Sequence, residues 1–348
     1  IRSAPMARSR GPGRPRCAAP APLRDGSAAP FTQVAEAALE LLLEEGRKHP
    51  APPKALAKPC APACEAAAPK RTPVEGLDTR IAIVGYSCIL PGGENVNEAW
   101  DMIQSGIDNI KDLPDDRVDV AAYFNPDKTV PDKIYCTRGG FIPNFDFDPR
   151  EFNFNMLQME DTDTNQTISL LKVKEALQDA KIDPSASKRK NIGCVLGIGG
   201  GQKASNEFYS RLNYTVVEKV MRKMGMPEAD VEQAVKKYKA HFPEWRLDSF
   251  PGFLGNVTAG RVCNVFNLDG MNCVVDAACA SSLIAVKVAI EELLYGDCEA
   301  MIAGATCTDC SIGMYMAFSK TPVFSTKPSV TAYDKGAKGM LIGEGSVM

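Results

Sequence analysis

Histidine is almost missing: the 348 residues contain two, His49 and His241. Any chemistry that needs an imidazole partner must use one of these or none. A second absence is a long apolar run. No stretch approaches the roughly 20 uninterrupted apolar residues that a membrane-crossing helix needs, and no secretory leader is visible. Charge of one sign is lacking as well. The formal net charge is −3, which gives no global positive field for nucleic acid or an acidic membrane surface. Cysteine, by contrast, is plentiful. The twelve cysteines are scattered among apolar segments rather than spaced as a disulfide framework, which reads as a reducing compartment, the cytoplasm or an organelle such as a plastid.

Composition divides the chain near residue 78. Residues 1–30 are rich in Ala, Pro and Arg and lack hydrophobic periodicity, so disorder is expected there, as a transit peptide or an interdomain linker. Residues 31–48 carry the spacing of one short amphipathic helix, and 50–78 read as a semi-extended linker, so 1–78 is a leader or linker with one helix. From 79 onward the texture is globular. "RIAIVGYSCIL" reads as a buried strand, "NEAWDMIQSGI" as a helix, and 111–147 as mostly loop. "TISLLKVKEALQDAKI" predicts an amphipathic helix, "NIGCVLGIGGG" a buried strand, and 206–247 charged helices with a stripe including Val216, Val217, Val220 and Met221. "FPGFLGNVTAGRVCNVF" predicts one helix, followed by strand "MNCVVDAA", helix "SSLIAVKVAIEELLYG" and strand "AMIAGATC". Apolar strands alternating with helices imply an α/β fold with a sheet covered on both faces.

Cys279 falls where a strand gives way to a helix through small residues, in "VVDAACASSLIAV". A strand, sharp turn and helix can present a nucleophile on an exposed bend. At a helix N-terminus, free N–H groups and the helix dipole favour a thiolate and can hold an oxyanion. Spacing alone favours a small side chain packed at a tight junction.

The wider string is more specific. "DAACASSL" resembles the active-site motif of beta-ketoacyl synthases, the condensing enzymes of fatty acid and polyketide assembly. In order along the chain, "RIAIVGYSCILPGG", "RGGFIPNFDFDPREFNF", "GNVTAGRVCNVFNLDG" and "AYDKGAKGMLIGEG" also resemble segments of that family. "FPEWRLDSFPGFLGNVTAGR" and "GMYMAFSKTPVFST" look like the ketosynthases of polyunsaturated fatty acid synthases. "DTDTNQT" stands where modular polyketide synthases carry a Pro-Gln-Gln-Arg helix start. The resemblance implies a thiolase-like layered αβαβα fold, here mainly its N-terminal half over 79–348, and a homodimer when complete. It implies Cys279 as the acyl acceptor, with acyl carrier protein and acyl and malonyl thioesters as partners. No cofactor or metal is implied as bound directly, since phosphopantetheine enters as the arm of the carrier protein.

The resemblance also implies two histidine motifs, and neither His49 nor His241 stands in one. Both read as structural. Those motifs lie further past the cysteine than Met348, so the expectation is an incomplete ketosynthase domain, inactive in condensation by itself. A non-catalytic partner shaping chain length or dimerisation is the alternative, which the retained cysteine opposes; "ACASS" disfavours a thiolase. Gly199-Gly200-Gly201 lacks phosphate-loop and Rossmann spacing and reads as a tight strand exit. Cys307 and Cys310 form one C-x-x-C, paired only with distant Cys60 and Cys64, too little for a zinc site. Phe250, Phe253, Phe318 and Phe324 read as core, and Asp334 and Glu344 as supporting carboxylates.

Overall fold

The computed structural model describes residues 80–114, 117–183, 191–199 and 203–348. The expected leader, the helix over 31–48, the linker and His49 lie outside these residues. The strands are β1 (Cys88–Ile89), β2 (Ile110–Asp112), β3 (Arg138–Gly140), β4 (Ile192–Gly197), β5 (Asn272–Val275), β6 (Ala300–Cys307), β7 (Ile342–Gly343) and β8 (Gly345–Val347). The helices are α1 (Val96–Gln104), α2 (Val120–Tyr123), α3 (Met156–Asp161), α4 (Thr164–Asp179), α5 (Lys203–Leu212), α6 (Tyr214–Lys223), α7 (Glu228–Ala240), α8 (Ser249–Phe253), α9 (Val257–Val265), α10 (Ser281–Leu294) and α11 (Ile312–Lys320).

Five strands form the central sheet in the order β1-β8-β6-β4-β5. β4 runs parallel to both β5 and β6, so the carboxyl ends of all three open at one end of the sheet. All six residues of β4 are buried, as a strand covered on both faces requires. Alternate residues take opposite faces. Ile192, Cys194 and Leu196 pack with Leu170, Val173 and Leu177 of α4 and with Ala259, Val262 and Cys263 of α9. Gly197 faces the other way, where a Cβ would lie 2.8 Å from the Ser281 carbonyl carbon. Small residues at one-turn spacing, Ser281, Ala285 and Ala289, form the buried stripe of α10 and let it lie close to the strands. This half-sandwich is the α/β arrangement the alternating pattern predicts.

Three expectations need correction. Only Cys88–Ile89 of "RIAIVGYSCIL" joins the sheet, paired antiparallel to Val347 and Ser346 of β8. Among the described residues no strand lies beside 80–86, and Ile83 is 87% exposed instead of buried. The helix expected over "FPGFLGNVTAGRVCNVF" is two, α8 and α9, because Leu254 is extended (φ −80°, ψ 117°). The fully buried Gln166 donates through Nε2 to the carbonyls of Pro251, Gly252 and Leu254, which ties the junction between the two helices to α4. The helix expected from Thr167 begins at Thr164 in α4, with Asp163 as its cap accepting the Asn165 N–H. Its first turn is polar yet buried, tied into the core by bonds such as Thr308 Oγ1 to Asn165 Oδ1 at 2.9 Å.

A second sheet, β2-β3-β7, flanks the first, with a core formed by Ile134, Tyr315, Phe324 and Ile342. The charged stretch expected to be helical over 206–247 is so as far as Ala240, in most of α5 and the adjoining pair α6 and α7; 241–247 are not helical, and Val216 is 54% exposed. Among the described residues no helix is long and apolar enough to cross a membrane.

Candidate active site

β5 ends at Val275, held beside β4 by the Gly197 to Val275 register and by the Ile198 N–H donating to the Val275 carbonyl at 3.2 Å. The chain then turns sharply. Ala278 takes φ +48°, a left-handed conformation that costs a residue with a Cβ about 1–2 kcal/mol. Local hydrogen bonds oppose that cost. Asp276 Oδ1 accepts the Ala278 N–H at 2.9 Å. Ser281, buried at the start of α10, accepts the Ala277 N–H at 2.9 Å and donates to the Ala278 carbonyl at 2.7 Å. Each neutral bond of this kind contributes about 1 kcal/mol.

Cys279 is the middle residue of the short 3-10 turn Ala278–Ala280 that leads into α10, and it is exposed. Its own N–H makes no hydrogen bond among the described residues. Sulfur and free N–H therefore sit on one open bend at the carboxyl ends of parallel strands, where α/β sheets place their ligands. The arrangement can attack a carbonyl and donate a hydrogen bond to the oxygen that becomes negative. Gly199 keeps the bend clear: a Cβ there would stand 3.2 Å from Asp276 Oδ1. The expected strand exit at Gly199 is thus packed against the turn that carries Cys279; Gly200 and Gly201 lie outside the described residues.

His241 caps the C-terminus of α7 and is exposed, and no hydrogen bond among the described residues joins it to Cys279. Glu344 is buried, pairs with Arg117 and accepts the Ile142 N–H at 3.2 Å. Burial pushes its carboxyl above the usual range, opposed by Arg117. Asp334 is exposed in a turn, accepting the Gly336 N–H. Phe253 and Phe324 are buried and Phe318 partly so, whereas Phe250 is 58% exposed rather than core. Cys307 is exposed and Cys310 buried, its thiol pushed up by burial. No group of metal-ligating side chains occurs among the described residues.

A cavity of about 710 Å³ opens beyond β6, lined by residues including Arg117, Lys203, Thr308, Ser311 and Glu344 but not by Cys279. Sequence reasoning missed Arg117, which lies in the region read as loop, and the bracing role of Ser281, although "DAACASSL" contains it.

Residues 78–348 match the family described as Beta-ketoacyl synthase, N-terminal domain, and the chain belongs to that family. It is 76% identical over 272 residues to a polyunsaturated fatty acid synthase polypeptide of Thraustochytrium sp., covering 78% of this chain and 10% of that protein. It is 30% identical over 275 residues to polyketide synthase GfsB of Streptomyces halstedii, covering 78% of this chain and 4% of that protein. The chain thus spans a tenth or less of the length of these two curated relatives. Among solved structures, the PfaC keto synthase-chain length factor superposes with a TM-score of 0.66 at 24% identity, covering 76% of this chain and 28% of that one. A mutant of the ketosynthase from module 6 of the bacillaene synthase of Bacillus subtilis 168 gives 0.59 at 26% identity, covering 76% and 39%. These neighbours bear out the thiolase-like class expected from the sequence, of which this chain forms the N-terminal part.

Proposed function

We propose that this chain carries the acyl-accepting part of a beta-ketoacyl-[acyl-carrier-protein] synthase within a fatty acid or polyketide megasynthase, with Cys279 as the nucleophile. The Cys279 sulfur attacks an acyl thioester, and the phosphopantetheine thiol of the carrier protein leaves. Malonyl on acyl carrier protein then loses carbon dioxide, and the carbanion attacks the cysteine thioester. A 3-oxoacyl chain two carbons longer results, and the cysteine is released. Division into two covalent steps is what the nucleophile supplies.

The observation that carries this reading is the exposed Cys279 on its braced turn at the start of α10, inside "DAACASSL". The acyl carrier protein and acyl and malonyl thioesters are its proposed partners, and a homodimer the proposed assembly of the complete domain. A reducing compartment such as the cytoplasm suits the nine free thiols among the described residues. We expect the 348-residue chain alone to lack condensing activity, since neither of its histidines lies in a motif of the family.

The test is transfer of a radiolabelled acyl group from acyl carrier protein to the intact polypeptide that carries this domain, followed by peptide mapping. Label on Cys279 as an acid-stable, hydroxylamine-sensitive thioester, lost in Cys279→Ser, is expected. Thioester label on Cys307 or a buried thiol, with Cys279→Ser unaffected, would refute the assignment.

A further inference from the structure

The Ser281 hydroxyl bonds to both sides of the segment before the nucleophile, accepting the Ala277 N–H and donating to the Ala278 carbonyl. That carbonyl belongs to the same peptide as the Cys279 N–H. In a trans peptide the two groups point in opposite directions. Drawing the carbonyl toward Ser281 therefore turns the Cys279 N–H away from it, where it is without a hydrogen bond among the described residues. An alanine does not itself favour the left-handed conformation at Ala278; the Asp276 bond to its N–H and the Ser281 backbone N–H on its carbonyl act beside this hydroxyl, which alone joins Ala277 to Ala278. Ser281 is itself fixed, buried against Gly197 of the central strand.

We propose that Ser281 is a positioning residue for the condensing reaction: its hydroxyl locks the peptide between Ala278 and Cys279, so that sulfur and N–H face the same acyl carbonyl. The proposal rests on Cys279 as the acyl acceptor but is read out separately from it. Ser281 touches no substrate. It acts through the turn, and a glycine at position 278, which reaches φ above zero without steric cost, should replace much of its effect.

The experiment measures iodoacetamide alkylation of Cys279 by peptide mapping in the full chain, with the exposed Cys307 as the reference thiol. Ser281→Ala is expected to slow Cys279 roughly ten- to thirtyfold, the scale of two lost neutral hydrogen bonds, and to leave Cys307 unchanged. Adding Ala278→Gly to Ser281→Ala should recover the rate to within about threefold, since glycine needs no brace at that φ. A Cys279 rate unchanged in Ser281→Ala overturns the proposal, as does a selective loss that Ala278→Gly fails to recover. Should Ser281→Ala alter both thiols through unfolding, Ala278→Val decides. A β-branched residue at that φ must slow Cys279 selectively, and equal rates in that variant and the parent refute the idea. Acyl mapping to another thiol would defeat the nucleophile assignment, while these relative rates would still report whether Ser281 sets the turn.

Discussion

Replacing Arg117 by Ala tests how a contact 227 residues apart in sequence holds the layers together. The Arg117 guanidinium pairs with Glu344, whose side chain is 3% exposed, while Arg117's own is 32% exposed. Breaking a fully buried pair costs about 3–5 kcal/mol, because the remaining charge stays desolvated, and an exposed pair contributes about 0–1 kcal/mol. With one partner buried and the other partly wet, Arg117→Ala should cost about 2 kcal/mol near pH 8, or roughly 4–8 °C in Tm. The loss must depend on pH. Burial, opposed by Arg117, raises the Glu344 carboxyl above its unfolded value, so the folded chain holds more protons between the two. The stability linked to this group is complete below about pH 4.3, the ordinary glutamate value, and falls as pH rises through the folded pKa. Removing Arg117 takes away the opposing charge and moves that folded pKa higher. The variant should therefore lose more stability at pH 8 than at pH 5, where Glu344 can take a proton. Urea denaturation at both values measures this. An equal loss at pH 5 and pH 8, or one below about 0.5 kcal/mol at pH 8, refutes the reasoning.

Two further substitutions probe the ground beneath the site. Gly197→Ala places a Cβ 2.8 Å from the Ser281 carbonyl carbon, an overpacking worth about 1–3 kcal/mol. It should also slow alkylation of Cys279, and unchanged stability with unchanged labelling would contradict the packing argument. Gln166→Ala removes the donor shared by three carbonyls and leaves Arg261, which donates to Gln166 Oε1 at 2.8 Å, without that acceptor. The cost should be about 3 kcal/mol for buried groups left unsatisfied. Limited proteolysis should quicken between α8 and α9, and a cut site unchanged there would count against the staple.

What the sequence disclosed followed local rules. β4, β5 and β6 were legible because each is a short apolar run bounded by turn residues, and α10 because its small and apolar residues recur at helical spacing. Cys279 stood out through its motif. Features that depend on distant partners were hidden. The run "RIAIVGYSCIL" has strand composition throughout, yet only the residues opposite β8 form a ladder, since composition does not reveal where a neighbouring strand ends. "FPGFLGNVTAGR" resembles one helix, yet a glutamine more than eighty residues earlier binds carbonyls at the junction between two. The Arg117 and Glu344 pair joins segments that no periodicity links.

The distribution of thiols explains how one cysteine can be singled out in a chain that contains twelve. Six of the nine in the described residues are buried and one is partly buried, leaving Cys279 and Cys307 exposed. Exposure alone does not separate these two. Cys307 closes β6, where its residue is paired with Gly345 of β8, and its backbone belongs to a ladder. Cys279 lies outside any ladder, on a turn whose preceding carbonyl is drawn toward Ser281 and whose N–H is without a bond among the described residues. An acyl carbonyl approaching Cys279 meets a sulfur and a hydrogen-bond donor together, whereas at Cys307 it meets a sulfur beside a strand already paired. If Cys279 is the acyl acceptor as proposed, its selection over Cys307 rests on backbone geometry, and a change that frees the turn should reduce acyl transfer even when every cysteine remains in place.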